Sequence, residues 1–180
     1  SAADPKLMEH EGRAAVFENS EDLVTRIDSD DLDVKAEDIL VLKNIGPKGA
    51  PGMPEAGYIP IPMKLARAGV KDMVRISDGR MSGTAFGTIV LHVTPEAAIG
   101  GTLAYVQTGD RIRLSVKNRE ISLLVSEQEL QSRKDKHPIV IPTAKRGYLK
   151  LFLDTVTQAE HGVDFDFLRA TENNGKTPRT

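Results

Sequence analysis

The feature that most constrains the fold is a polar segment at residues 77–84 (SDGRMSGT), which lies between two apolar runs at 73–76 and 88–93. Both runs have the length and composition of β-strands. Glycines in such a segment allow positive φ or close approach of the backbone to a ligand, and the short hydroxyl side chains can face that ligand. Loops held between strands often carry binding and catalytic groups. The composition also suits an ordinary connecting turn, so both interpretations stay open.

Length and charge exclude several classes of protein. A chain of 180 residues can bury the core of one domain. The net charge of −2 gives no basic face of the kind that a general nucleic-acid binder needs, and only 4% of residues are aromatic. No apolar run approaches the ~20 residues of a membrane span, and the first residues do not resemble a secretion signal. We therefore expect a cytoplasmic protein with no nucleic-acid or membrane partner.

The absence of cysteine is equally restrictive. It excludes disulfides, and it excludes a thiolate-ligated metal or iron–sulfur cluster held by this chain.

Hydrophobic periodicity and turn signals predict a mixture of strands and helices. The predicted strands are residues 12–18, 38–43, 72–76, 88–93, 103–106, 111–116 and 120–125, and the predicted helices are 20–27, 62–68, 126–136 and 146–160, with one helical turn at 95–101. Polar–apolar alternation makes the hairpin at 111–125 the clearest of these elements. Strands outnumber helices and there is little strict βαβ alternation, which favours an α+β domain, β-barrel-like or layered, over a doubly wound sheet.

A second loop, residues 44–57 (NIGPKGAPGMPEAG), is rich in glycine and proline, which forbids a helix or a strand ladder. Glu55 is the only acid in this loop. A carboxylate in so rigid a loop suits a hard cation such as magnesium, although one carboxylate does not make a metal site.

Other titratable residues have simpler interpretations. The four histidines, His10, His92, His137 and His161, show no metal-ligand spacing, and His92 in a predicted apolar strand is read as a hydrogen-bonded core histidine rather than a catalytic one. Asp78 beside Arg80 suggests a salt bridge that holds the loop. Ser82 has no histidine base at motif spacing, so any reactivity requires another group, such as a metal, that lowers its pKa.

Several motifs in order carry a family resemblance. Residues 77–87 (SDGRMSGTAFG), 91–101 (LHVTPEAAIGG) and 108–114 (TGDRIRL), with the upstream loop 40–55 (LVLKNIGPKGAPGMPE), resemble the C-terminal domain of the dihydroxy-acid dehydratase / phosphogluconate dehydratase family. The resemblance covers roughly residues 5–170. The SGT variant at 82–84 and the DFDFL run at 164–168 look most like the arabinonate and xylonate dehydratases.

The resemblance implies a fold and a reaction. The fold is a swivelling β/β/α domain with a β-barrel-like core and flanking helices. The reaction removes water from a 2,3-dihydroxy acid, here a sugar acid, to give a 2-keto-3-deoxy acid. An iron–sulfur cluster acts as Lewis acid on the 3-hydroxyl, and magnesium binds the substrate carboxylate and 2-hydroxyl. By motif position, Ser82 matches the serine base, Thr84 the hydroxyl that orients substrate, Gly83 their substrate-binding neighbour, and Glu55 a magnesium ligand.

The chain departs from the family in one respect. The family's cluster cysteines and its other magnesium ligands belong to an N-terminal domain, and this chain has no cysteine and does not begin with Met. We therefore expect residues 1–170 to be the C-terminal domain of a longer chain and 171–180 to be a disordered tail. Alone it is expected to be inactive; with its N-terminal domain it is expected to form a homodimer or homotetramer.

Three other functions are compatible with the sequence. One is a dihydroxy-acid dehydratase of branched-chain amino-acid biosynthesis. A second is a non-catalytic module that binds a carboxylate or phosphate through its glycine loops, and a third is a purely structural domain.

Overall fold

A computed structural model of the protein describes residues 3–54, 59–83 and 85–169. Within them the strands are β1 Glu9–Phe17, β2 Ile39–Leu42, β3 Arg75–Ser77, β4 Ile89–Val90, β5 Arg111–Ser115 and β6 Glu120–Leu123. The helices are α1 Ser20–Arg26, α2 Met63–Arg67, α3 Glu127–Lys136 and α4 Gly147–Thr155. Glu55, Thr84 and the predicted tail lie outside the described residues.

The strands form one mixed sheet in the order β4-β3-β2-β1-β5-β6. β1 joins its two halves: residues 14–17 pair in parallel with β2, and residues 9–13 pair antiparallel with β5. β2, β3 and β4 continue the parallel half, and β5 and β6 form the predicted hairpin. The α+β class is therefore confirmed.

Burial explains the sequence pattern of the parallel half. All four residues of β2 are fully buried. Apolar clusters cover both faces of this half: Leu40 and Leu42 contribute to one cluster, while Ile39 and Val41 contribute to the other. A strand covered on both faces is expected to be a continuous apolar run rather than an alternating one.

Local capping rules place two helices. Asn19 caps α1, because its side chain accepts the N–H of Asp22. Ser126, the first residue of the helix predicted at 126–136, caps α3 by accepting the N–H of Glu129.

The structure corrects several predicted elements. Of the strand predicted at 72–76, only residues 75 and 76 lie in β3. Residues 103–106 are not a strand, since Thr102–Tyr105 is a 3-10 helix whose Leu103 and Tyr105 turn into the core. The last helix ends at Thr155, and an isolated bridge between Val156 and Phe165 follows it. The strand predicted at 88–93 shrinks to β4, because the chain leaves the sheet after Val90.

No helix within residues 3–54, 59–83 and 85–169 is long and apolar enough to cross a membrane.

Candidate active-site edge

The two glycine-bearing loops of the sequence meet at one edge of the sheet. Residues 44–57, here called the glycine–proline loop, follow β2. Residues 78–87, here called the serine loop, follow β3. Each loop leaves the carboxyl end of its strand. Because β2 and β3 are parallel neighbours, those two ends lie at the same edge of the sheet. Ligand sites in parallel sheets commonly form at that edge.

One hydrogen bond joins the two loops near the candidate residues. Arg80 Nε donates to the carbonyl oxygen of Met53 at 2.9 Å. Arg80 precedes Ser82 by two positions, and Met53 precedes Glu55 by two positions. The bond therefore brings together the segments that carry the predicted base and the predicted metal ligand, although Glu55 and Thr84 themselves lie outside the described residues.

Ser82 lies in a tight turn at the surface of the core. Its carbonyl oxygen accepts the N–H of Ala85 at 2.9 Å, and its side chain is half-buried. The preceding Met81 is buried in the apolar cluster, which anchors the turn. Gly83 is exposed, and a Cβ built on it would meet nothing within 4 Å. Among the described residues, none therefore crowds this side of the turn.

Asp78 has a different role from the predicted salt bridge with Arg80. Its carboxylate is fully buried and accepts two backbone N–H groups, from Ile45 at 3.0 Å and from Ala97 at 2.9 Å. Burial raises the pKa of Asp78 and nearby Glu96 adds to the rise, while those two N–H groups oppose it. Asp78 thus ties the glycine–proline loop to the segment after β4, and Arg80 is left to bind Met53.

A buried ion pair holds the outer ends of both loops. The guanidinium of Arg75 is fully buried and donates to Asp72 Oδ1 at 2.9 Å, to the Phe86 carbonyl at 2.8 Å and to the Ile59 carbonyl at 3.1 Å. Phe86 is the last residue but one of the serine loop, and Ile59 lies two residues after the glycine–proline loop. One side chain in β3 therefore fastens both loops.

Asp72 completes this anchor. Its carboxylate accepts the Thr88 N–H at 3.0 Å, the Thr88 hydroxyl at 2.8 Å and the Asp4 N–H at 3.0 Å. Burial alone raises the pKa of Asp72, but these donors and the Arg75 charge outweigh it, so the pKa is lowered overall. Asp72 is therefore held as a carboxylate.

His92 is not the core histidine that the sequence predicts. It is exposed, has a positive φ of 55°, and donates its backbone N–H to the Gly79 carbonyl at 3.1 Å. The expectation was wrong because β4 ends two residues earlier, which places His92 in the loop that crosses the serine loop.

Sequence reasoning missed four residues of this edge: Asp72, Arg75, Glu96 and Gln158. Two weak signals were present. Asp72 and Arg75 place opposite charges around an apolar run, and Glu96 is a lone acid between Pro95 and two alanines. Charged side chains in apolar surroundings are buried only when they find polar partners: Asp72 and Arg75 pair with each other, and Glu96 binds N–H groups.

The donor set available for a metal is limited. The chain contains no cysteine, and the described residues hold no group of three or more His, Asp or Glu side chains that could bind a metal ion. An iron–sulfur cluster therefore does not fit the residues of this chain.

Comparisons with known proteins identify relatives over nearly the whole chain. The chain is 51% identical over 172 residues to a 6-deoxy-6-sulfo-D-gluconate dehydratase of Pseudomonas putida, covering 96% of this chain and 30% of the relative. It is 50% identical over 177 residues to an L-arabonate dehydratase of Azospirillum brasilense, covering 95% of this chain and 30% of the relative. A dihydroxy-acid dehydratase of Streptococcus suis (strain 05ZYH33) is 37% identical over 172 residues, covering 95% of this chain and 29% of the relative.

The chain thus spans about 30% of the length of the curated relatives it matches. The family model described as "Dihydroxy-acid/6-phosphogluconate dehydratase C-terminal" matches residues 1–163, nearly the whole chain. With the glycine–proline loop and the serine loop joined at one sheet edge, this match makes the chain a member of the dihydroxy-acid/6-phosphogluconate dehydratase C-terminal family.

Proposed function

We propose that this chain is the C-terminal part of a dehydratase that converts a 2,3-dihydroxy sugar acid into a 2-keto-3-deoxy acid. The observation that supports the proposal is the junction of the two loops through Met53 and Arg80, with Arg80 two residues before Ser82 in the loop that follows β3. The identities of 51% and 50% to two sugar-acid dehydratases, against 37% to a dihydroxy-acid dehydratase, favour a sugar acid as substrate.

Ser82 is the base in this proposal. Its deprotonated hydroxyl takes the proton from C2, and the C2–H electron pair forms a C2=C3 double bond. The 3-hydroxyl leaves as hydroxide, which becomes water by taking that proton back from the Ser82 hydroxyl. The resulting enol then tautomerises to the 2-keto acid. The exposed Gly83 leaves room for the substrate next to Ser82, and Thr84 is proposed to orient it.

Cofactor ligands must come largely from elsewhere in the full-length enzyme. We propose that the N-terminal domain holds the iron–sulfur cluster, because this chain has no cysteine, and that it supplies the magnesium ligands other than Glu55.

The same proposal covers domain organisation and assembly. Residues 1–170 are proposed to form the C-terminal swivelling domain, with the mixed sheet as its barrel-like core, and the full-length enzyme is proposed to be a homodimer or homotetramer. Large apolar side chains on the surface support a covering partner, among them Val140 at 89%, Tyr148 at 72% and Phe167 at 60% exposed.

The test is Ser82→Ala in the full-length enzyme, assayed for 2-keto acid formation from L-arabinonate, D-xylonate, D-gluconate and 2,3-dihydroxyisovalerate. Loss of a general base lowers turnover by about 100-fold or more. Ser122→Ala is the matched control, because Ser122 lies on β6 with its hydroxyl bonded to Glu120; it is expected to stay within about twofold of wild type.

Near-normal turnover by Ser82→Ala would remove serine from the base role. Preference for 2,3-dihydroxyisovalerate would move the enzyme to the branched-chain pathway. If no acid is dehydrated, the chain is instead a binding or structural module.

A further inference from the structure

A buried carboxylate, distinct from the candidate base and the candidate metal ligand, binds the backbone of the glycine–proline loop. Glu96 is 1% exposed. Both of its carboxylate oxygens accept the backbone N–H of Lys48 at 2.9 Å, and Oε2 also accepts that of Gly49 at 2.8 Å. A Cβ at Gly46 would lie 2.7 Å from Oε2, so only glycine at that position lets the carboxylate approach.

Gln158, which follows α4, orients this carboxylate. Gln158 Nε2 donates to Glu96 Oε1 at 2.7 Å, and the backbone N–H of Glu96 donates back to Gln158 Oε1 at 2.9 Å. Within the described part of the chain no cationic side chain pairs with Glu96. Among the described residues, the donors to this carboxylate are N–H groups, and hydrogen bonds to a buried charged acceptor are among the stronger ones in proteins.

The glycine–proline loop is thereby held at three points. Asp78 binds the N–H of Ile45, Glu96 binds those of Lys48 and Gly49, and Arg80 binds the carbonyl of Met53. Asp78 and Arg80 belong to the serine loop, so a change at Glu96 frees the middle of the loop while its two ends stay attached.

We infer that Glu96, oriented by Gln158, is a positioning residue that sets the main-chain shape of the glycine–proline loop against the serine loop. It acts through backbone N–H groups and does not touch substrate. The inference rests on the proposed function, since the loop it shapes leads to Glu55 and faces the loop of Ser82.

The test uses Glu96→Gln in the full-length protein. The substitution keeps side-chain size but replaces one oxygen with an amide N–H group that faces other N–H donors. We expect amide hydrogen exchange at Lys48 and Gly49 to accelerate about tenfold or more, and KM for the sugar acid to rise about tenfold, as for loss of one charge-assisted hydrogen bond. Glu120→Gln, on the exposed β6, is the matched control and is expected to change neither.

A double variant provides the rescue. In Glu96→Gln with Gln158→Glu, the amide introduced at position 96 can donate to the carboxylate introduced at 158, and its oxygen remains free for the loop N–H groups. Exchange at Lys48 and Gly49 and KM are then expected to return towards wild-type values.

Two results would overturn the inference. One is Glu96→Gln that lowers the melting temperature but leaves exchange at Lys48 and Gly49 and KM unchanged, which would mean a general packing role. The other is a double variant with no recovery of exchange. If wild-type protein dehydrates none of the acids, the proposed function fails, yet the exchange measurements still decide the role of Glu96.

Discussion

The two halves of the sheet are held together in different ways. In the antiparallel half, Arg111 pairs with Glu11 across the β1–β5 ladder at 2.9 Å, with side chains 53% and 42% exposed. In the parallel half, Arg75 pairs with Asp72 at the same distance, with side chains 0% and 8% exposed. Exposed pairs contribute little to stability, whereas breaking a buried pair leaves an uncompensated charge. The polar groups that matter for the site are therefore those inside the parallel half.

The largest expected effect is from Arg75→Met. It leaves the carbonyls of Ile59 and Phe86 without their donor and Asp72 without its cation. We expect the free energy of unfolding, measured by urea denaturation, to fall by about 3–5 kcal/mol. Arg111→Met is the matched control, with an expected loss below about 1 kcal/mol. Equal losses of unfolding free energy in the two variants would contradict the difference drawn between the two halves of the sheet.

A buried ion pair in the antiparallel half tests whether the contribution of an ion pair to stability depends on its burial or on the half of the sheet in which it lies. Asp110 precedes β5 and binds Arg133 of α3 through both oxygens, at 2.6 and 3.0 Å, with each side chain 10% exposed. Burial raises the pKa of Asp110, but the Arg133 guanidinium and the Gln107 N–H outweigh it and lower the pKa overall. Asp110→Asn is therefore expected to cost about 1.5–3 kcal/mol at pH 7.

The lowered pKa of Asp110 determines how its contribution to stability changes with pH. The folded protein holds the Asp110 carboxylate more strongly than the unfolded chain does, so its stabilisation is complete above the unfolded pKa of about 3.9. It is lost as the pH falls through the lower folded pKa. The difference between wild type and Asp110→Asn, from urea denaturation at several pH values, should shrink below about pH 4. A constant difference across that range would contradict the assignment.

The smallest expected changes in unfolding free energy are for alanine substitutions at two glycines of the serine loop. A Cβ at Gly79 would lie 2.4 Å from side-chain atoms of Ile45 and 2.9 Å from its carbonyl oxygen. Gly79→Ala is expected to cost about 1–3 kcal/mol of unfolding free energy. Gly83→Ala, which meets nothing within 4 Å, is expected to cost less than about 0.5 kcal/mol. A reversed order in thermal or urea unfolding would show that the serine loop is packed differently.

Prediction from sequence succeeded where the information is local. The alternation in β5, the helix start at Ser126 and the apolar run of β2 all depend on neighbours within a few residues, and each appears in the structure. The strand predicted at 103–106 failed for the opposite reason: the apolar pattern fits a strand, but packing against the sheet selects a 3-10 helix at Thr102–Tyr105. His92 failed because the end of β4 is set by tertiary contacts.

The motifs by themselves determined the family and the candidate base, Ser82, since both follow from residue order along the chain. Only the tertiary structure decided that Asp78 binds backbone rather than Arg80, that Arg75 fastens both loops, and that Glu96 meets Lys48 and Gly49 across 48 and 47 positions of sequence. The physical reason is that a buried polar group must find its partners in three dimensions. Those partners come from loops that parallel strands bring to one edge, however far apart they lie along the chain.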